Sequence, residues 1–188
     1  MSPVESTPAR AFRSFVLAAV SIAVIGLLAL AAQTPFLFPS LGATAFILIT
    51  APATAPASAR NAVSAHVIGA VAGCASFHLF ALDRATATLS NGGGVEHVAA
   101  CALALAVTCG VMTLARLAHP PAGATTLICA LGFLPQWWHV PMVAASVVLL
   151  TLTIRGLQRA GGARHPWWNA AGEPVVAVDT AAELEPGE

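Results

Sequence analysis

Four long apolar runs constrain this chain more than any other feature of its sequence. The first, Ser14 to Ala32, holds 19 consecutive residues without a charged side chain, which suffices for one transmembrane helix. Three more follow at about 60–82, 96–117 and 140–157. Hydrophobic residues make up 57% of the chain and charged residues only 9%, values typical of membrane proteins and not of soluble domains. The sequence therefore predicts an all-α membrane protein.

The charged residues and cysteines argue against several other classes of protein. All eight basic residues are arginine, and eight acidic residues balance them, so we expect no nucleic-acid partner. The four cysteines lie in apolar runs without a Cys-x-x-Cys pair, and we interpret them as packing residues. The chain has no nucleophile motif and no His-x-x-x-His spacing. We therefore predict neither enzyme activity nor a cofactor.

Two short motifs of the same form lie between the long apolar runs. Pro39 to Ala45 and Pro120 to Thr126 share the pattern Pro-x-x-Gly-Ala-Thr at a constant offset of 81 positions. Each motif leads into a short apolar run that ends at a proline. The chain thus divides into two pseudo-repeats, about 14–82 and 96–157, each with a long helix, a motif plus short helix, and a long helix. Duplicated, broken helices of this kind are typical of transport pathways.

Two further predictions concern the ends of the chain and whether the short helices cross the membrane. Residues 1–13 are predicted to be a cytoplasmic segment, and 158–188 a disordered acidic tail. At ~1.5 Å per residue the short helices reach roughly 17–24 Å, less than the ~30 Å hydrocarbon core, so re-entrant and crossing helices both stay open. Six crossings leave only Arg84 outside, which the positive-inside rule favours. Both alternatives put the two termini in the cytoplasm, in a bacterial-type inner membrane.

The composition of the two motifs favours a site for a small anion. Proline is tolerated in the first helical turn, and glycine leaves the backbone accessible to a ligand. The helix N-terminus adds free N–H groups and partial positive charge, so no Lys or Arg contact is needed. His119 precedes a proline, so we expect its backbone to be extended. Its imidazole would then be placed to carry a proton beside the anion. The predicted motif residues are Ser40, Gly42, Thr44, His119, Pro120, Pro121, Gly123 and Thr125.

Three residues at the start of the second long run are predicted to support this site: Arg60, Asn61 and His66. A polar group at depth usually faces the bundle interior, which argues for His66. Arg60 taken alone is better explained by anchoring at the membrane interface, and Asn61 is also suited to helix capping. Two further alternatives stay open. The small residues of the motifs also suit tight helix packing, and His66, His119 and His139 would form a metal site if they converged.

The motifs resemble those of the HPP family of integral membrane proteins. The resemblance rests on His119 to Thr126, on Pro39 to Ala45, and on Pro56 to Asn61 followed by His66 and Gly69. One departure is Ala65, where the family pattern has glycine. The resemblance covers about 14–157 and implies four transmembrane helices and a transport role, with nitrite transport associated with plastid and cyanobacterial relatives.

The function that we expect is therefore a membrane transporter or channel for a small, nitrite-like inorganic anion. Its expected partners are the lipid bilayer and this anion, and oligomerisation to enclose a pathway stays open. The alternatives are a histidine-based membrane metalloprotein or enzyme, and a structural membrane subunit in which the motifs serve only helix packing.

Overall fold

The computed structural model describes residues 6–84, 94–163 and 168. This part of the chain is helical, without strands, which confirms the predicted fold class. The six α-helices are α1 Thr7–Ala32, α2 Pro39–Thr50, α3 Ala59–Leu79, α4 Val95–Leu114, α5 Pro121–Ala130 and α6 His139–Ala160. Short 3-10 turns lie at Ala55–Ala57 and Leu82–Arg84. The four long helices α1, α3, α4 and α6 are apolar and long enough to cross a membrane, whereas α2 and α5 are shorter.

The outer helices extend beyond the predicted apolar runs. Helix α1 begins at Thr7 rather than at Ser14, with a proline in its first turn, where the missing N–H costs nothing. Part of the segment predicted as 1–13 is therefore helical. Helix α6 continues to Ala160. The predicted acidic tail lies outside the described residues apart from 158–163 and Trp168.

The direction of the chain alternates through the six helices. At one end of the bundle, Arg10 of α1, Thr50 at the end of α2 and Ala163 after α6 line one cavity. At the opposite end, His78 near the end of α3 bonds to the carbonyl of Pro135, which follows α5. Helix α2 and its extended lead-in thus return the chain along α1, a helix of about 39 Å at ~1.5 Å per residue. This geometry favours the crossing alternative over the re-entrant one.

Most of the arginines lie at one end of the bundle, which we call the arginine-rich end. It contains Arg10, Arg13, Arg60, Arg116, Arg155 and Arg159. The starts of α1 and α3 and the ends of α2, α4 and α6 meet here, because the direction of the chain alternates. The acidic residues in the described part, Asp83 and Glu96, both lie at the other end.

Helix α3 is central and makes its closest approach to α5. A Cβ atom on Gly69 would lie 2.7 Å from the carbonyl oxygen of Ala122, and one on Gly73 would lie 2.5 Å from that of Thr126. Only glycine allows the two backbones to come this close. The contact places His66, which lies one turn before Gly69, beside the first turn of α5.

Helix α2 is held from the opposite side by an apolar core shared with α1 and α6. Its Leu41 and Leu48 are fully buried, as are Ile25 of α1 and Val143 and Ile154 of α6. Because lipid tails are as apolar as these side chains, close van der Waals packing rather than removal from water stabilises the short helix here. The first turn of α2 is therefore fixed in the interior, facing α3 and α5.

Candidate functional site

Five polar side chains meet in the interior of the bundle, and we call them the central polar cluster. The cluster consists of Ser40 and Thr44 of α2, His66 of α3, His119 before α5, and Thr125 of α5. None of them is more than 1% exposed. All five are among the residues predicted from the two motifs and from the start of the second long run. Residues far apart in the chain are thus brought together.

His66 lies between the two motif threonines. Thr44 Oγ1 is 2.8 Å from its Nε2, and Thr125 Oγ1 is 2.6 Å from its Nδ1. The two threonines occupy the same position of the duplicated motif, 81 residues apart. Both nitrogens of one imidazole are therefore engaged by equivalent residues of the two halves of the chain.

The first turn of α2 touches α5 directly at the residue that follows the first turn of α5. Ser40 Oγ lies 2.6 Å from Thr125 Oγ1, and both hydroxyls are buried. A shared site at the two motifs requires their helix N-termini to be adjacent, and they are. The partial positive charges of the two helix N-termini consequently act on the same small volume.

His119 is oriented by a backbone carbonyl. Its Nδ1 lies 2.7 Å from the carbonyl oxygen of Pro56. Because a carbonyl oxygen only accepts hydrogen bonds, Nδ1 carries the hydrogen. The Nε2 of a neutral His119 is then an acceptor, and it faces Thr44 Oγ1 at 3.1 Å and His66 Nε2 at 3.3 Å.

One direction that satisfies every group can be assigned to the hydrogen bonds of the cluster, with the hydrogen of His66 placed on Nε2. Ser40 donates to Thr125, and Thr125 donates to Nδ1 of His66. Nε2–H of His66 donates to Thr44, and Thr44 donates to Nε2 of His119. The hydroxyl of Thr44 also lies 3.1 Å from the carbonyl of Ser40, an alternative acceptor. Every bond is satisfied with both imidazoles neutral, so the cluster needs no charge.

The backbone donors expected at the two helix N-termini are largely occupied. In α5 the N–H of Ala122 donates to His119 and that of Gly123 donates to Pro120, both at 3.1 Å. In α2 the N–H of Leu41 donates to Phe38 at 3.0 Å. The prediction of free first-turn N–H groups is wrong at these positions, because tight turns precede both helices. The donors of the site are therefore side-chain hydroxyls and ring N–H groups.

Six predicted residues lie outside the central polar cluster: Gly42, Arg60, Asn61, Pro120, Pro121 and Gly123. Gly42 is exposed, and a Cβ placed on it would meet open space. Gly123 faces Leu105 of α4, so its small size serves helix packing. Arg60 is exposed at the arginine-rich end. Pro120 is exposed, while Pro121 is buried as the first residue of α5.

Asn61 positions the segment that carries His119. It is 5% exposed, and its Nδ2 donates to the carbonyl of Ala55 at 2.9 Å and to that of Ala118 at 3.5 Å. The N-cap of α3 is Ser58, whose hydroxyl accepts from the N–H of Asn61. Asn61 therefore links the segment before α3 to the segment before α5, and its bond to Ala118 lies one residue from His119 of the cluster.

Arg155 of α6 is a buried residue that sequence reasoning missed. It is 3% exposed, and its Nη2 donates to the carbonyls of Pro52 at 3.0 Å and Ala57 at 2.8 Å. Gln158, one turn later, donates to the carbonyl of Leu48 at 2.9 Å. The sequence feature that could have identified it is the presence of an arginine inside the last apolar run. Arg155 binds the carbonyl of Ala57, and His119 binds the carbonyl of the preceding residue, Pro56. The 3-10 turn that contains these two carbonyls therefore links Arg155 to His119.

The residues of the described part do not converge as a metal site. They contain no group of three or more His, Cys, Asp or Glu side chains placed to hold a metal ion. His139 instead accepts a hydrogen bond from the N–H of Gln136 at the start of α6. It also packs against Trp138, with ring centroids 4.0 Å apart. The alternative in which His66, His119 and His139 converge is therefore wrong.

The fold defines the class of protein: a multi-pass membrane protein with a buried polar cluster between two short helices. A family model described as the transmembrane region of HPP proteins matches residues 3–166, and the chain belongs to this family. The predicted resemblance is confirmed.

Two curated relatives come from Dictyostelium discoideum, and each is described as a transmembrane protein. They are both 29% identical to this chain, over 147 and 143 residues. These stretches cover 74% and 72% of this chain but 48% and 43% of the relatives. The chain thus spans less than half the length of these relatives. No solved structure matches the chain.

Proposed function

We propose that this protein transports a small inorganic anion such as nitrite across the membrane, and that the central polar cluster binds the anion. The observation that carries the proposal is His66 between Thr44 and Thr125, at the adjoining N-termini of two short helices. Hydroxyl and imidazole N–H groups are anion donors, and the two helix N-termini add partial positive charge. Membership of a family of multi-pass membrane proteins supports a transport role.

The charge distribution of the bundle supports an anionic substrate. The cavity at the arginine-rich end, with a volume of about 450 Å³, has Arg10, Arg13, Ser14 and Thr50 among its lining residues. Positive charge at a concave entrance raises the local concentration of anions. The positive-inside rule supports a cytoplasmic location for this end of the bundle. An anion entering the cluster would take over hydroxyl and ring N–H donors that now bind within it.

The test is saturable nitrite uptake by liposomes that contain the purified protein. Thr125→Val removes a hydroxyl while keeping the shape of the side chain. Loss of one hydrogen bond to a charged ligand is worth ~1.5 kcal/mol or more, so uptake should fall about tenfold or more. Thr125→Ser keeps the hydroxyl and should keep most of the uptake.

The matched control is Thr153→Val in α6, where the hydroxyl bonds only to its own helix, at Leu149. It should transport like the wild-type protein. If Thr125→Val also transports like wild type, the motifs serve packing alone. Folded wild-type protein that moves neither nitrite nor other small anions would contradict the proposal.

A further inference from the structure

The hydrogen bonds of the central polar cluster are all satisfied with neutral side chains. Within the described part of the chain, no charged side chain bonds to the cluster to serve as a counter-charge for an anion. Helix α2 carries no titratable side chain, and α5 carries only Cys129. Helix α4 reaches α5 here through the hydroxyl of Thr108, which bonds to Thr126. The titratable groups that face each other are His66 and His119 themselves, with ring centroids 5.0 Å apart. The nearest fixed charge on α6, Arg155, is bound to backbone carbonyls.

An anion bound alone at this place would be a buried, uncompensated charge. The effective penalty for burying one ion in a protein is several kcal/mol unless an opposite charge accompanies it. A proton added to one imidazole provides that opposite charge. The anion and the proton then form a pair with no net charge.

Resting on the proposed function, we propose that the cluster binds one proton with each anion, so that the protein moves the two together without moving net charge. The proton adds to Nε2 of His119, the ring nitrogen that is an acceptor in the neutral chain of hydrogen bonds. The resulting imidazolium keeps its Nδ1–H bond to the carbonyl of Pro56, which stabilises the positive charge. On the far side the anion and the proton leave, and the neutral chain of hydrogen bonds is restored.

The geometry limits the count to one proton. The Nε2 atoms of His66 and His119 lie 3.3 Å apart, and two positive charges this close repel strongly in the interior. Once His119 is an imidazolium, His66 remains neutral and engaged by the hydroxyls of Thr44 and Thr125. One anion and one proton therefore cross in each cycle.

The experiment measures nitrite and proton uptake together in liposomes that contain the wild-type protein and an internal pH indicator. Protein-free liposomes give the background, since nitrous acid itself crosses lipid. Above this background we expect equal initial rates of nitrite and proton influx. Potassium gradients of either sign with valinomycin should leave the nitrite rate unchanged. Nitrite influx without protons, or a rate that follows the membrane potential, would overturn the inference and leave anion transport standing. No uptake of nitrite or of any other small anion tested would overturn both.

The variant His119→Asn separates proton binding from structure. The amide nitrogen takes the place of Nδ1 and keeps a donor for Pro56, but the side chain no longer accepts a proton. Proton influx should fall to the protein-free background, and any remaining nitrite influx should follow the membrane potential. Undiminished one-to-one influx in this variant would overturn the role of His119. The matched control is His78→Gln, since His78 bonds to another proline carbonyl, that of Pro135, outside the cluster; its coupling should equal wild type.

Discussion

At the scale of the residue, helical spacing explains which motif residues reach the site and which do not. Ser40 and Thr44 are four positions apart and share one face of α2, whereas Gly42 lies two positions from each and points elsewhere. The same spacing separates Gly123 from Thr125 on α5. The motif alone selected all of these residues, and helical geometry then divides them between the cluster, the contact of Gly123 with α4 and the exposed surface at Gly42.

The residues of the central polar cluster could be predicted from the sequence, but their pairing could not. A duplicated motif and a histidine at depth point to Thr44, Thr125 and His66 without saying that both threonines bind one ring. That pairing depends on how closely α3 and α5 approach. Arg155 was missed because its partners are backbone carbonyls, and backbone partners leave no pattern of side chains in the sequence.

At the scale of the element, the order of long and short helices follows directly from apolar runs and prolines. What the sequence left open was the depth of the short helices, because a helix of ten or twelve residues is shorter than a membrane is thick. The extended segment before α2 provides the missing length. A segment without helical hydrogen bonds is tolerated at membrane depth only where protein surrounds it, and neither composition nor periodicity reports that burial.

The contact between α3 and α5 predicts a large effect of one methyl group. Gly73→Ala would place a Cβ atom 2.5 Å from the carbonyl oxygen of Thr126, so the helices must separate. We expect a loss of about 1–3 kcal/mol in the free energy of unfolding, as for other overpacked cores. The measurement is thermal or denaturant unfolding of the purified protein in detergent.

A matched variant on α4 gives the opposite expectation. A Cβ atom on Gly110 would meet nothing within 4 Å, so Gly110→Ala adds helix propensity without a clash. It should leave stability unchanged or raise it by up to ~1 kcal/mol. Equal stability of Gly73→Ala and wild type would show that α3 and α5 do not pack as described.

At the scale of the whole molecule, the alternating helices predict on which side each loop lies. Thr54, in the loop between α2 and α3, is exposed at the arginine-rich end, while Thr34 follows α1 at the opposite end. In a background without native cysteines, Thr54→Cys should react with an impermeant thiol reagent only from the cytoplasmic side. Thr34→Cys should react only from the other side.

The crossing and the re-entrant alternatives for the short helices predict different labelling of Thr54→Cys. If α2 crosses, Thr54 and the N-terminus of α1 share a side of the membrane. If α2 is re-entrant, Thr54 lies on the side of Thr34 instead. Labelling of both cysteines from the same side would therefore contradict the six-pass arrangement and the single arginine-rich end.

An anion bound at the central polar cluster lies against two histidine rings, so the signals of their nitrogens report its binding. In protein labelled with nitrogen-15 at histidine, we would follow the ring nitrogens by NMR while nitrite is added at neutral pH. The signals of His66 and His119, assigned with His66→Gln and His119→Asn, should shift saturably, and those of His78 and His139 should stay constant. Saturable shifts confined to other histidines, or ring signals of His66 and His119 that do not respond to nitrite, would contradict anion binding at the cluster.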